Sequence, residues 1–141
     1  MQPFRSQDEI PKNNTEKELP IEFVKDSLRL EVVTTCVNFS DILEQVLIHN
    51  IPQIDTYIVV TSHEDRATQK CCKKYGTFCI PTDLFSKNGR NFNKGAAINA
   101  GFDYFQWFGW RLHLDCDIIL PPDFRKVLFN SNFLDPLCIY G

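Results

Sequence analysis

The spacing of hydrophobic residues changes several times along the chain, and each change marks a predicted element. Short apolar and β-branched runs predict parallel strands covered on both faces. These runs are Leu28–Cys36, Thr56–Thr61, Thr77–Ile80 and the stretch that ends near Asp115. Apolar residues three or four positions apart predict helices between the strands. These helices run from Ser40 to Asn50, from Ser62 to Gly76, and onward from Asn93.

The predicted ends of the elements follow from capping residues. Ser62 is a candidate N-cap, with Asp65 three residues later as an acidic variant of the capping box, and Gly76 is suited to end that helix. We predict a loop from Pro81 to Phe92. Asp123 is expected to cap a short helix to about Phe129, and residues 137–140 are expected to form a last strand.

Strands that alternate with helices predict an α/β fold with an open, mostly parallel sheet and helices on both faces. This domain spans residues 28–141, after a polar N-terminal extension over residues 1–27 to which we assign no chemistry. Such sheets bind ligands at the carboxyl ends of their strands. The segments at these ends are Thr34–Cys36, Thr61–Asp65, Pro81–Asp83 and Asp115–Asp117.

The stretch from Trp110 to Phe124 alternates apolar and polar residues, as a strand with one buried face does. Asp115 and Asp117 share one parity near its end, with Cys116 between them. Two carboxylates beside a buried strand are costly unless a cation lies between them. We interpret them as ligands of a divalent metal ion that carries a nucleotide diphosphate. The alternative is that one Asp caps a turn and the other is solvated.

Two further groups could contact the same nucleotide. Lys94 and Gly95 lie in the first turn of a predicted helix, where backbone N–H groups and the lysine would both face a phosphate; the alternative is a solvated lysine. Small polar residues at the ends of the first two strands could receive the base and ribose, or could serve only as caps. They are Thr34, Thr35, Cys36, Thr61, His63 and Asp65.

Composition excludes several classes of protein. The chain has 141 residues, 43% of them hydrophobic, and a net charge of −3, so no overall field attracts nucleic acid or an anionic membrane. No apolar run approaches the roughly 18 residues of a membrane span. The six cysteines form no C-x-x-C pair, which argues against structural zinc. With no secretory signal, we expect reduced thiols and a cytoplasmic location. The G-x-G-x-x-G, P-loop and G-x-S-x-G motifs are missing from the sequence.

Three segments resemble GT-A fold glycosyltransferases, closest to the family-2-like enzymes that use nucleotide sugars. They are VVTTCVNFSD (32–41), NKGAAINAGF (93–102) and LHLDCDIILPPDF (112–124). The resemblance covers about residues 28–130. The compact F-N-K-G-A-A and L-D-x-D-I-I-L-P-P variant is also similar to short glycosyltransferase-like proteins encoded by tailed phages, for which the location would be the host cytoplasm.

The resemblance implies a Rossmann-like GT-A fold and a role for each matching position. Asp115 and Asp117 correspond to the D-x-D motif, which in the family binds Mn²⁺ or Mg²⁺ and the diphosphate and ribose of the donor. Thr35 with its neighbours corresponds to a nucleoside contact. Lys94 matches a basic residue near the base and phosphates. Thr61 stands where the family has an aspartate that pairs with uracil, a role that Asp65 or Asp83 could take.

The activity implied is metal-dependent transfer from a nucleotide sugar, most directly a UDP-sugar, to an unknown acceptor, with slow donor hydrolysis as a side reaction. In the family, the catalytic base and the acceptor half lie beyond the D-x-D motif. Here that region is reduced, and its later acids are Asp123 and Asp135, which are the candidates for the base. The alternative is a non-catalytic nucleotide-sugar-binding module that requires a partner chain. A nucleotidyltransferase-like enzyme is a third reading, disfavoured because a glycine-rich phosphate loop is missing.

Overall fold

A computed structural model describes residues 29–89, 92–105, 109–130, 134–135 and 137–141. The strands are β1 (Leu30–Thr35), β2 (Thr56–Ser62), β3 (Phe78–Thr82) and β4 (Trp110–His113). The helices are α1 (Ser40–Asn50), α2 (Arg66–Tyr75), α3 (Lys94–Asp103) and α4 (Phe124–Asn130). Two 3₁₀ helices lie at Ile51–Gln53 and Leu84–Gly89. The predicted extension over residues 1–27 lies outside the described residues.

The four strands form one open sheet in the order β3-β2-β1-β4, and every pair of neighbours is parallel. Val33 on β1 is in register with Ile58 on β2 and with His113 on β4. The predicted α/β class with a parallel sheet is therefore confirmed. The chain moves outward from β1 through β2 to β3, and then returns to place β4 on the other side of β1. This reversal creates a topological switch point between β1 and β4.

Helices cover both faces of the sheet, as predicted. On one face, Leu43 and Leu47 of α1 and Cys72 of α2 pack with Val32 of β1. On the other face, Ala97 of α3 packs with the buried Val33, Ile58 and Val60. Because adjacent strand residues point to opposite faces, β1 and β2 each supply side chains to both cores, and all six residues of β1 are buried.

The α3 helix lies very close to the sheet at Gly101. A Cβ atom built on Gly101 would lie 2.5 Å from Cγ1 of Val33 and 3.1 Å from Cγ2 of Val60. Glycine is therefore required here by packing and not by backbone conformation. This contact sets how the helix that begins at Lys94 sits over β1.

The helix boundaries test the capping predictions. The bounds of α1 coincide with the prediction, Gly76 ends α2 in the left-handed conformation with φ of 70°, and the Asn93 side chain accepts a hydrogen bond from Ala96 N at 3.2 Å. The prediction for Ser62 is wrong, because β2 extends through Ser62. The N-cap is Asp65, whose Oδ1 accepts from Thr68 N at 3.0 Å.

Three other predictions on secondary structure are corrected. Part of the predicted loop over residues 81–92 is the 3₁₀ helix Leu84–Gly89. Residues 137–140 form no strand; Leu137 N instead donates to Oδ1 of Asp135 at 2.9 Å, which closes a turn. β4 ends at His113, so the two predicted metal ligands lie in the turn that follows the strand. Asp123 does precede α4, and its carbonyl accepts from Val127 N at 2.9 Å.

A buried carboxylate lies near the amino end of β1. Glu31 is 0% exposed, and its oxygens lie 3.6 Å from Arg29 Nε and 3.8 Å from Arg111 Nε. Within the described ranges, neither oxygen has a hydrogen-bond partner. Burial raises the pKa of Glu31, and the charges of the two arginines offset only part of that effect.

Among the described helices, none is long and apolar enough to cross a membrane.

Candidate functional site

A cleft of about 250 Å³ opens where β1 ends, beside the turn that follows β4. It is lined by Thr35, Phe39, Ile42, Lys94, Asp115, Cys116 and Asp117. The cleft lies at the carboxyl ends of the two strands that flank the switch point, which is where open α/β sheets bind their ligands. The fold thus brings together three segments that are far apart in the sequence, and each was predicted to contact the ligand.

A lysine and a carboxylate meet across this cleft. Lys94 is the first residue of α3, and its Nζ donates to Oδ1 of Asp115 at 2.5 Å. The hydrogen bond from Lys94 holds the pKa of Asp115 below its usual range. The alternative of a merely solvated lysine therefore does not describe this residue. Both side chains remain about half exposed, so they are open to a ligand.

A histidine that the sequence reasoning passed over lies behind this pair. Nε2 of His113 lies 3.7 Å from Oδ1 of Asp115, and in the part of the chain that the structure describes this buried nitrogen has no hydrogen-bond partner. Burial lowers the pKa of His113, and the charge of Lys94 lowers it further. The imidazole is therefore neutral at physiological pH. Its position two residues before Asp115, on the same strand parity, was the available signal.

The donor set fits a hard divalent cation only with help from a ligand. Asp115 and Asp117 present carboxylate oxygens to the cleft, the ligand type that Mg²⁺ and Mn²⁺ take together with phosphate. No group of three or more His, Cys, Asp or Glu side chains that could hold a metal occurs within the described residues. A cation here would therefore take at most a few protein ligands and would need further oxygens from a nucleotide or from water.

The cysteine between the two aspartates packs against the same buried cluster as a second cysteine. Cys116 lies against the cluster that contains Cys36, and Sγ of Cys36 lies 3.6 Å from Oγ1 of Thr68. The nearby Cys36 thiol lowers the pKa of Cys116 to about 7. The Cys116 thiol, together with burial, raises the pKa of Cys36. Cys116 lines the cleft, whereas Cys36 lies in the core behind it.

Three residues that were predicted to bind the donor lie in the interior and not on the cleft. Oδ2 of Asp65 accepts from Asn38 N at 2.7 Å and from the hydroxyls of Thr68 at 2.6 Å and Thr61 at 3.3 Å. Burial raises the pKa of Asp65, but these hydrogen bonds outweigh it and the net pKa is lowered. Thr34 is fully buried and donates to the carbonyl of Leu114 at 2.9 Å. The hydrogen bonds of Asp65, Thr61 and Thr34 therefore join the strand ends to neighbouring segments.

Of the remaining residues predicted to bind the donor, one is the neighbour of a cleft residue and two lie outside the cleft. Gly95, beside Lys94, has open space where a Cβ would stand, with the nearest atom 4.0 Å away. His63 and Asp83 follow β2 and β3, are exposed, and lie 3.8 Å apart outside the described cleft.

The candidates for a catalytic base lie elsewhere. Asp123 lines a different cleft of about 360 Å³ beside Gln53, Arg125 and Phe129. Asp135 accepts from Leu137 N in the turn near the end of the chain. Neither is part of the cleft formed by Lys94 and Asp115.

The apolar wall of the cleft was not predicted. Phe39 is 53% exposed and Ile42 lies one helical turn further along. Asn38 adopts the left-handed conformation with φ of 64°, and its N–H is held by Asp65. This turn directs the chain from β1 into α1 and brings Phe39 to the cleft. The sequence signal for this wall was an aromatic residue, Phe39, between the end of β1 and the start of α1.

Comparison with known proteins adds no assignment: the chain matches no protein-family model and no curated protein.

Proposed function

We propose that the chain is a metal-dependent glycosyltransferase that binds the diphosphate of a nucleotide sugar, most directly a UDP-sugar, in the cleft between β1 and β4. The observation that carries the proposal is the convergence of Lys94, Asp115 and Asp117 on one cleft at the switch point of a parallel sheet. Cationic and anionic side chains side by side suit a ligand that carries both phosphate groups and a bound metal.

The topology supports the finer assignment to a Rossmann-like GT-A fold. The order β3-β2-β1-β4 is that of the first half of a doubly wound sheet. The D-x-D segment follows β4, directly beside the end of β1, where the nucleoside contact implied by the resemblance lies at Thr35. Donor binding at this position therefore agrees with both the strand order and the motif.

Each side chain has a distinct task in the proposed reaction. Asp115 and Asp117 would hold Mn²⁺ or Mg²⁺, which when bound supplies Lewis-acid stabilisation for a departing nucleoside diphosphate. Lys94 has three N–H donors, so it can hold Asp115 and still donate to a phosphate oxygen. Neutral His113 adds no positive charge behind Asp115. Phe39 and Ile42 supply an apolar wall that excludes water from one side of the donor.

A second candidate function is a nucleotide-sugar-binding module without turnover of its own. The observation that favours it is the set of cleft residues: within the described chain, the carboxylates on the cleft are Asp115 and Asp117, which the proposal assigns to the metal. A base for deprotonating the acceptor would then have to come from a partner chain. The two functions share the donor site and differ only in turnover.

A steady-state assay of UDP release from UDP-sugars, with Mn²⁺ and candidate acceptors, separates them. Transferase activity predicts sustained UDP release that falls by about 100-fold or more in Asp117→Asn, as for loss of a metal ligand. Asp103→Asn is the matched control, since it removes an exposed carboxylate that lies outside the cleft and has no role in the proposal, and it should retain wild-type turnover. Donor binding without release supports the module. Neither binding nor release would refute both functions.

A further inference from the structure

Cys36 directly follows β1, Cys116 lies in the turn after β4, and both belong to the same buried cluster. Val33 is in register with His113, Leu114 N donates to the carbonyl of Val33 at 3.0 Å, and Thr34 Oγ1 donates to the carbonyl of Leu114 at 2.9 Å, so the strands stay side by side as far as Leu114. Extended by two residues, this register brings Cys116 next to Cys36, on the face that holds Leu114. Adjacent strands are about 4.8 Å apart, which lies within the roughly 4.4–6.8 Å range of Cα separations in disulfides.

The two thiols share one buried cluster but differ in exposure. Cys36 is 1% exposed, whereas Cys116 lines the cleft and can be reached by a small solute. A second cysteine pair in that cluster, Cys72 of α2 and Cys79 of β3, lines neither described cleft. Shared packing together with access from the cleft therefore distinguishes the Cys36–Cys116 pair.

We propose that Cys36 and Cys116 form a reversible disulfide under peroxide, and that this disulfide closes the nucleotide site. The sulfur of Cys116 first attacks one oxygen of hydrogen peroxide, which breaks the O–O bond, gives a sulfenic acid and releases one water. The sulfur of Cys36 then attacks the sulfenic sulfur and displaces its hydroxyl group as a second water. The two cysteines are oxidised, the peroxide is reduced, and the two thiol hydrogens leave in the water molecules. A dithiol reductant reverses the reaction by thiol–disulfide exchange.

Formation of the bond must displace the turn that carries the two aspartates. A disulfide brings its sulfur atoms to about 2.05 Å, well inside the separation of two unbonded thiols. Cys36 is held between β1 and Thr68 in the core, so the adjustment falls on residues 115–117. Asp115 and Asp117 flank Cys116 and move with it. This second part of the inference rests on the proposed nucleotide site, whereas formation of the disulfide does not.

The first test is peptide mapping of the full-length chain, reduced and then treated with equimolar hydrogen peroxide under native conditions. We expect a linked peptide that contains Cys36 and Cys116, lighter by two hydrogen atoms and cleaved by dithiothreitol. The link should be lost in Cys116→Ser, a half-exposed and therefore tolerated change, and should persist in the matched controls Cys72→Ser and Cys138→Ser. A Cys72–Cys79 link formed first, or no intramolecular link, would overturn the proposal.

The second test is calorimetric titration of UDP with Mn²⁺ into the reduced, oxidised and re-reduced protein. The inference predicts that oxidation weakens binding by about tenfold or more and that dithiothreitol restores it. The affinity of Cys116→Ser, which lacks the thiol that peroxide attacks, should be the same before and after peroxide treatment. A linked protein that binds UDP as the reduced protein does would refute the switch. If the link forms and the reduced protein binds no UDP, the disulfide stands and the proposed function fails. If the reduced protein binds UDP and no link forms, the proposed function stands and the disulfide proposal fails.

Discussion

Replacing Gly101 by alanine tests how α3 is held against the sheet. The added methyl carbon would lie 2.5 Å from Cγ1 and 3.0 Å from Cγ2 of Val33, which is fully buried. Carbon atoms in contact normally lie about 3.5–4.0 Å apart. Either α3 lifts from the sheet by about 1 Å or Val33 leaves its rotamer, and in both cases well-packed contacts are lost.

The magnitude follows from two opposing effects. Overpacking of a core typically costs about 1–3 kcal/mol, and alanine in a helix gains about 0.5–1 kcal/mol over glycine. The net expectation for Gly101→Ala is a loss of up to about 2.5 kcal/mol in the free energy of unfolding. For a chain of this size, about 2–4 °C of Tm per kcal/mol gives a decrease of up to roughly 10 °C.

The assay is urea unfolding followed by circular dichroism, with thermal melts for comparison. Gly95→Ala is the matched control, because it changes a glycine of the same helix where a Cβ has no neighbour closer than 4.0 Å. We expect Gly95→Ala to be unchanged or slightly stabilised. If Gly101→Ala were as stable as Gly95→Ala, the close approach of α3 to Val33 would be wrong.

Three further substitutions test charged groups. Asp65→Asn should lower the free energy of unfolding by about 2–4 kcal/mol at pH 7, because it weakens an N-cap and charge-assisted hydrogen bonds. Since folding lowers the pKa of Asp65 from its ordinary value of 3.8, the difference in stability should shrink only as the pH falls below 3.8. Glu31→Gln should be more stable than the wild type at pH 7. The pKa of Glu31 is raised in the folded state, so the wild type loses stability as the pH rises from 4.5 through the folded-state pKa. The difference in stability between variant and wild type should therefore vanish near pH 4.5 and below. An equal pH dependence of wild type and variant in urea titrations would contradict either statement. Lys94→Ala should raise the pKa of Asp115 in NMR titrations and weaken UDP binding by about tenfold or more, yet change stability by less than about 1 kcal/mol because the ion pair is exposed.

The elements that the sequence predicts well are those defined by local patterns. The short apolar strands, the bounds of α1 and the glycine that ends α2 depend on residue spacing and on caps within a few positions. The cap at Asp65 was misassigned because β2 runs further than its apolar core, which moves the start of α2 by three residues. The burial of Glu31 was missed because it depends on β4, which brings Arg111 beside Glu31 from far along the sequence.

The candidate site could be predicted only in part, since its composition depends on strand order. All strands of a parallel sheet present their carboxyl ends at one edge, so the sequence nominated each end equally. The structure places β4 beside β1, so the segments that follow these two strands share the described cleft. Thr61 and Thr34 are turned inward, while His63 and Asp83 remain beside strands further along the sheet. Side-chain direction and strand order are tertiary properties that no local pattern encodes.

Calorimetric titration of UDP into the reduced chain, with and without Mn²⁺, tests the central claim most directly. The account predicts saturable binding of one nucleotide per chain that requires Mn²⁺ and that is lost in the double variant Asp115→Ala, Asp117→Ala. The control Asp83→Ala, Asp123→Ala removes the same charge from exposed positions outside the cleft and should bind as the wild type does. Absence of Mn²⁺-dependent binding in the wild type, or equal binding by the Asp115→Ala, Asp117→Ala variant, would contradict it.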